Sequence, residues 1–146
     1  MFRIPKHIGI IPDGNRRWAK KSGLKKEEGY AFGLEPGLEL LRAAKKYGVR
    51  ELTYYGFTVD NCKRPREQLK AFSHACVEAV KLMELEDVRP YVLGNTKSSC
   101  FPKELIPYTE PEMLPASASD KMRVNLLVNY GWEWDNIWFD YKKYSI

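Results

Sequence analysis

Ile8-Gly9-Ile10-Ile11-Pro12-Asp13-Gly14-Asn15-Arg16-Arg17-Trp18 begins as an apolar, isoleucine-rich run and ends on a carboxylate, a glycine, an amide, two guanidiniums and an indole. The apolar half reads as a buried strand, expected over Ile8 to Ile11. The polar half reads as a strand-to-helix turn that suits an anion. Gly14 lets the backbone turn tightly and come close to a ligand. Asn15 is expected to cap the helix that follows, and the free N–H groups of that helix start favour a phosphate. Arg16 and Arg17 add forked donors. Asp13 repels an anion, unless a hard cation such as Mg²⁺ lies between carboxylate and phosphate. The same stretch also reads as an ordinary strand, turn and helix with a solvated basic face, and the pattern alone leaves both readings open.

Outward from this stretch, strands and helices alternate. A short helix is expected over Asn15 to Lys21, stopped by Gly23, then a charged loop, Lys25-Lys26-Glu27-Glu28. A longer helix is expected over Tyr30 to Tyr47, its regular part beginning at Pro36, with Leu34, Leu38 and Leu41 on one face and Gly48 as its stop. Strands follow at Glu51 to Phe57, Pro90 to Leu93 and Val124 to Asn129. Between the first two runs a helix from Pro65 to Leu85, with Leu69, Phe72, Cys76, Val80 and Met83 as its apolar stripe. Phe101 to Pro107 reads as one or two helical turns, Pro107 to Asp120 as a flexible connection, and the tail from Trp132 as helical at first. This is the pattern of an α/β fold, a parallel sheet with helices on both faces and right-handed crossovers. Ligands of such sheets gather beyond the C-terminal strand ends, where Asp13, Thr58, Asn61 and Asn95 all fall.

Three blocks carry a resemblance. The first is His7-Ile8-Gly9-Ile10-Ile11-Pro12-Asp13-Gly14-Asn15-Arg16-Arg17-Trp18. The second is Tyr55-Gly56-Phe57-Thr58-Val59-Asp60-Asn61-Cys62-Lys63-Arg64-Pro65, and the third is Asn125-Leu126-Leu127-Val128-Asn129-Tyr130-Gly131. In this order they resemble the signatures of the cis-prenyltransferases, the undecaprenyl diphosphate synthase family. The resemblance implies an isoprenyl transferase, which joins C1 of an allylic diphosphate to C4 of isopentenyl diphosphate and releases diphosphate and a proton. It implies Mg²⁺ as cofactor with Asp13 as its ligand, and Asp13 and Asn61 as catalytic positions. It assigns substrate contacts to Gly14, Asn15, Arg16, Arg17, Trp18, Lys26, Tyr30, Thr58, Val59, Asp60, Cys62 and Arg64. It further implies a homodimer, and peripheral membrane contact through the polyprenyl product.

The chain departs from the family pattern at several of these positions. Pro12 replaces a methionine, Arg16 a glycine, Lys26 an arginine, Tyr30 a histidine and Cys62 an aromatic residue. Asn61 is an amide and a poor base, so its expected role is to orient a water or a diphosphate. Asp60 reads as a turn residue rather than a catalyst. Trp18 and the apolar stripe of the Pro65–Leu85 helix are candidates for the wall of a hydrocarbon tunnel, and equally for plain core. The family's later Arg-x-Gly-Gly motif, further arginines and second acidic residue have no counterpart after Gly131. Residues 1–146 are therefore expected to form a single domain lacking the C-terminal part of the family fold. A fragment, a natural truncation and a non-catalytic partner homologue that binds diphosphate all stay open.

Composition sets the outer bounds. Lys and Arg number 24 against 19 Asp and Glu, a net charge of +5 that suits an anionic ligand. No alternating basic and aromatic platform for single-stranded nucleic acid is present. Cys62, Cys76 and Cys100 are widely spaced without a CxxC pair, and His7 and His74 are isolated, so neither a disulfide framework nor a zinc site is expected. No apolar run suggests a signal peptide or a membrane span, and the expected location is cytoplasmic.

Overall fold

The computed structural model describes residues 3–109, 120–134 and 136. Four parallel strands form one sheet in the order β1-β2-β4-β3: β1 His7–Ile10, β2 Glu51–Tyr55, β3 Arg89–Leu93 and β4 Arg123–Leu127. The helices are α1 Asn15–Lys21, α2 Gly29–Phe32, α3 Leu34–Lys46 and α4 Arg66–Glu84. Tight 3₁₀ turns occupy Lys26–Glu28, Val59–Lys63 and Lys103–Tyr108. The expected parallel sheet with packed helices is thus observed, with strand ends shifted by one or two residues, although α3 and α4 pack on one face of it rather than on both.

Strand periodicity sorts the side chains. Leu52, Tyr54, Val92, Val124 and Leu126 form one core with Leu41, Ala44, Cys76, Val80 and Met83, and Ile8 and Ile10 pack against it. The described helices cover this face. The alternate positions form a polar row in register across the strands, in which Gly9, Thr53, Asn125 and Tyr91 are neighbours. Asn125 is buried there, and its amide donates to Glu51 and Thr53 at 2.7 and 2.9 Å and accepts from Arg123 at 2.9 Å. A buried amide with these partners satisfied ties β2 to β4 and makes a register slip expensive.

Two further expectations change. The helix expected over Tyr30 to Tyr47 is divided at Gly33 into α2 and α3. Tertiary packing divides it: a Cβ on Gly29 would lie 2.2 Å from the Asn15 carbonyl oxygen, and one on Gly33 2.7 Å from the Asn15 amide. Both glycines let this segment lie directly on the start of α1. The charged loop at Lys25–Glu28 is wound as a turn, closed by the Lys25 N–H on the Glu28 carboxylate at 2.7 Å. Of the expected connection, residues 110–119 lie outside the described residues, as does most of the tail, although residues 132–134 are helical.

Candidate functional site

The strand ends are drawn together by the third block. Beyond β4, Asn129 is buried in a left-handed conformation (φ 51°), its carbonyl accepts from the Asn95 N–H, and its side-chain amide donates to the Asn95 carbonyl, each at 3.3 Å. Its Oδ1 accepts from the Cys62 thiol at 3.3 Å. Tyr130 exchanges backbone hydrogen bonds with Phe57 and Val59. Gly94 permits this approach, because a Cβ there would lie inside bonding contact of the Val128 carbonyl. The ends of β2, β3 and β4 thereby become one rigid rim. Asn129 is a residue that the sequence reading left without a role; its place as the polar last residue of an expected strand was the available signal.

The turn after β1 differs from expectation at its cap. Gly14, with φ 102°, is the N-cap of α1, and Asn15 is its first helical residue with no capping bond. Glycine holds the left-handed corner that an asparagine cap would not have needed. The Asn15 side chain lies against Gly33 instead. Asp13 accepts from Arg17 Nη2 at 2.6 Å, with side chains 78% and 75% exposed. A pair this exposed contributes at most about 1 kcal/mol, so a diphosphate can exchange with either partner at small cost. Arg16 is exposed beside them.

Behind this turn lies a cavity of about 660 Å³. Asp13, Gly14, Asn15, Trp18 and Tyr30 are the site candidates that line it. Its deeper wall is apolar: Leu38 and Leu41 of α3, Phe72, Cys76, Ala79 and Met83 of α4, and Tyr54 and Leu126 of the sheet. Trp18 and Phe32 stack at 5.0 Å along its border, both about half exposed. Phe32, Gly33 and Tyr54 were not singled out from sequence. Tyr54 is fixed by donating to the Gly37 carbonyl at 2.8 Å, and burial pushes its phenol up to about 12.

Arg64, outside the cavity lining, is joined to it through Tyr30. Its Nη1 donates to the Tyr30 hydroxyl at 2.8 Å, and its guanidinium lies 5.6 Å from the Phe72 ring centroid. Thr58 caps the turn that follows β2, its Oγ1 accepting from the Asn61 backbone at 3.3 Å and side-chain amide at 2.7 Å. This leaves Asn61 Oδ1 as a free acceptor among the described residues, suited to orienting a donor such as water. Asp60 pairs with Lys63 at 2.8 Å, which holds its carboxyl below the usual range, and both are exposed, in keeping with a turn role. Val59 packs on Gly131. Cys62 donates to Asn129 of the rim and lies beside Cys100; burial, then the neighbouring thiol, raises it to about 12, so it is a neutral thiol near pH 7. Lys26 is exposed on its turn and touches none of these groups in a hydrogen bond or ion pair. Gln68 Oε1, buried in the first turn of α4, has no hydrogen-bond partner among the described residues.

No group of three or more His, Cys, Asp or Glu residues is placed to hold a metal among the described residues. A single accessible carboxylate does fit Mg²⁺, which commonly takes one or two carboxylates with waters and substrate phosphates as its remaining ligands. No described helix is long and apolar enough to cross a membrane.

Known proteins share this sequence and fold. The family model of undecaprenyl diphosphate synthase (Prenyltransf) matches residues 11–139. An isoprenyl transferase of Chlorobaculum tepidum is 32% identical over 142 residues, covering 90% of this chain and 51% of its own. One from Clostridium perfringens is 36% identical, covering 88% of this chain and 52% of its own. Lavandulyl diphosphate synthase from Lavandula x intermedia, solved in complex with dimethylallyl diphosphate, superposes with a TM-score of 0.79 at 25% identity, covering 95% of this chain and 61% of that one. The chain thus spans about half the length of the curated relatives it matches.

Proposed function

The chain belongs to the undecaprenyl diphosphate synthase family, and on that premise we propose that it works as an isoprenyl transferase whose described residues hold the allylic diphosphate and its hydrocarbon chain. One observation carries the reading: the Asp13-Gly14-Asn15 turn stands at the border of an apolar cavity of about 660 Å³. A ligand with an anionic head and a hydrocarbon tail matches that pairing of a polar turn and an apolar wall. The N–H groups that open α1 and the Arg17 guanidinium receive the diphosphate oxygens. Asp13 would hold Mg²⁺, which when bound supplies neutralising charge for the leaving diphosphate. Trp18, Phe32 and Phe72 exclude water from the allylic carbon. Arg64, joined to the cavity through Tyr30, adds charge for the allylic diphosphate at the cavity border, and isopentenyl diphosphate binds on the rim side, where Asn61 Oδ1 orients the group that takes the proton.

A second reading, a homologue that binds diphosphate without turnover, draws on Cys62, whose thiol faces Asn129 where the family has an aromatic side chain. One experiment separates the two. Binding of a non-hydrolysable allylic thiodiphosphate is measured by calorimetry with and without Mg²⁺, beside incorporation of radiolabelled isopentenyl diphosphate. Binding with product supports the transferase, binding without product supports the second reading, and no binding refutes both.

A further inference from the structure

Arg64 is a partly buried guanidinium. Arg123, also partly buried, has the Glu51 carboxylate at 3.8 Å. Arg64 has none among the described residues; its partners are the Tyr30 hydroxyl at 2.8 Å and the face of Phe72. Tyr30 is 4% exposed, and its ring packs on Phe72 with centroids 4.7 Å apart. Phe72 rests in turn on Phe57, at 5.1 Å, at the end of β2. The hydroxyl is therefore fixed by a stack of three aromatic rings anchored in the core. A carboxylate in its place would neutralise the cation and occupy two donors. A neutral oxygen takes one donor of five and leaves the full charge.

We propose that Tyr30 is a positioning residue: its hydroxyl aims the Arg64 guanidinium at the border of the cavity, so that a diphosphate meets an oriented and uncompensated cation. The inference rests on the reading of the cavity as an allylic diphosphate site. It gives Tyr30 a task different from direct donation to phosphate, and it accounts for a side chain with only an oxygen to offer at this place. Preorganising a long side chain removes the ordering cost that a free arginine meets on binding.

The test is a double-mutant cycle of diphosphate binding to the 146-residue chain, with inorganic diphosphate and an allylic thiodiphosphate as probes. Tyr30→Phe keeps the ring and its stack. It is expected to weaken binding about fivefold, in line with loss of one hydrogen bond. Arg64→Met is expected to weaken it by more than about tenfold, as for a charge-assisted contact. In the Arg64→Met background, Tyr30→Phe is expected to change nothing further. An equal loss from Tyr30→Phe in both backgrounds would mean that the hydroxyl contacts phosphate itself and would overturn the proposal, as would no loss in either. A second measurement needs no Tyr30 variant. Arginine side-chain ¹⁵N spectra of the unmodified chain should show slowed guanidinium rotation at Arg64 as well as at the ion-paired Arg42, the Arg64 signal being identified by its disappearance in Arg64→Met; free rotation at Arg64 overturns the proposal. If the unmodified chain binds neither probe, the allylic-site reading falls and this inference with it. Normal binding that is indifferent to Tyr30 removes the inference alone.

Discussion

Gly29→Ala should separate the consequences of packing from those of helix propensity. The new Cβ would stand 2.2 Å from the Asn15 carbonyl oxygen, 2.8 Å from its carbonyl carbon and 3.0 Å from Ala19 Cβ. These are backbone and Cβ atoms of α1, so no flexible side chain can swing aside. An ordinary carbon–oxygen contact is about 3.3 Å, so α2 must retreat by roughly 1 Å. Overpacking of this kind costs about 1–3 kcal/mol, and alanine returns up to about 1 kcal/mol of helix propensity. With backbone atoms on both sides of the clash the upper value applies, and a net loss of about 2 kcal/mol is expected. Gly37→Ala is the control: it lies inside α3 with nothing within 4 Å of its built Cβ, and should stabilise by up to about 1 kcal/mol. Urea unfolding of the two variants should therefore differ by about 3 kcal/mol. The displacement also moves Tyr30, the next residue, by enough to break its 2.8 Å bond to Arg64. Diphosphate affinity should fall in Gly29→Ala and hold in Gly37→Ala. Equal stability of the two would refute the close seating of α2 on α1.

Three other outcomes follow from the same contacts. Asp13→Asn should abolish the Mg²⁺-dependent part of diphosphate affinity in calorimetry while leaving the melting temperature within a few degrees, since its exposed pair with Arg17 contributes little; a persistent Mg²⁺ response would place the cation elsewhere. Gln68→Leu removes a buried acceptor that lacks a partner among the described residues and should raise stability in urea by about 1 kcal/mol or more, whereas a loss would show that the amide is satisfied. Burial pushes Cys76 and Tyr54 up to about 12. The unfolded chain then gives up these protons first, so stability should be full below about pH 9 and fall as pH rises toward 12, by up to about 1.4 kcal/mol per pH unit for each group. Thermal melts from pH 7 to 11 should show that fall, and Tyr54→Phe should make it shallower.

Much of the fold was legible because it depends on local periodicity. The isoleucine run gave β1, the Thr53–Tyr55 run gave β2, and the stripe through Cys76, Val80 and Met83 gave the buried face of α4. Gly14 and Asp13 were legible as candidate site residues because a glycine corner beside a carboxylate is written in a few adjacent letters, and the corner is present at Gly14. Their family was legible because three separated blocks occur in one order.

What lay outside the sequence's reach was set by contacts between distant segments. Nothing local says that Gly29 and Gly33 must accept Asn15 or that Gly14 displaces Asn15 as the cap; Pro36 marked where the regular helix begins, but not the separate α2 before it. Nothing local turns the Cys62 thiol inward to Asn129, 67 residues away, or sets the Tyr30 hydroxyl against Arg64, 34 residues away. Propensity and periodicity act over one or two turns of chain, with energies of tenths of a kcal/mol per residue. A buried polar atom without a partner costs about 1–3 kcal/mol, and so does a steric clash in the core. Where the two disagreed, at Gly33 and at Asn15, the larger energy decided.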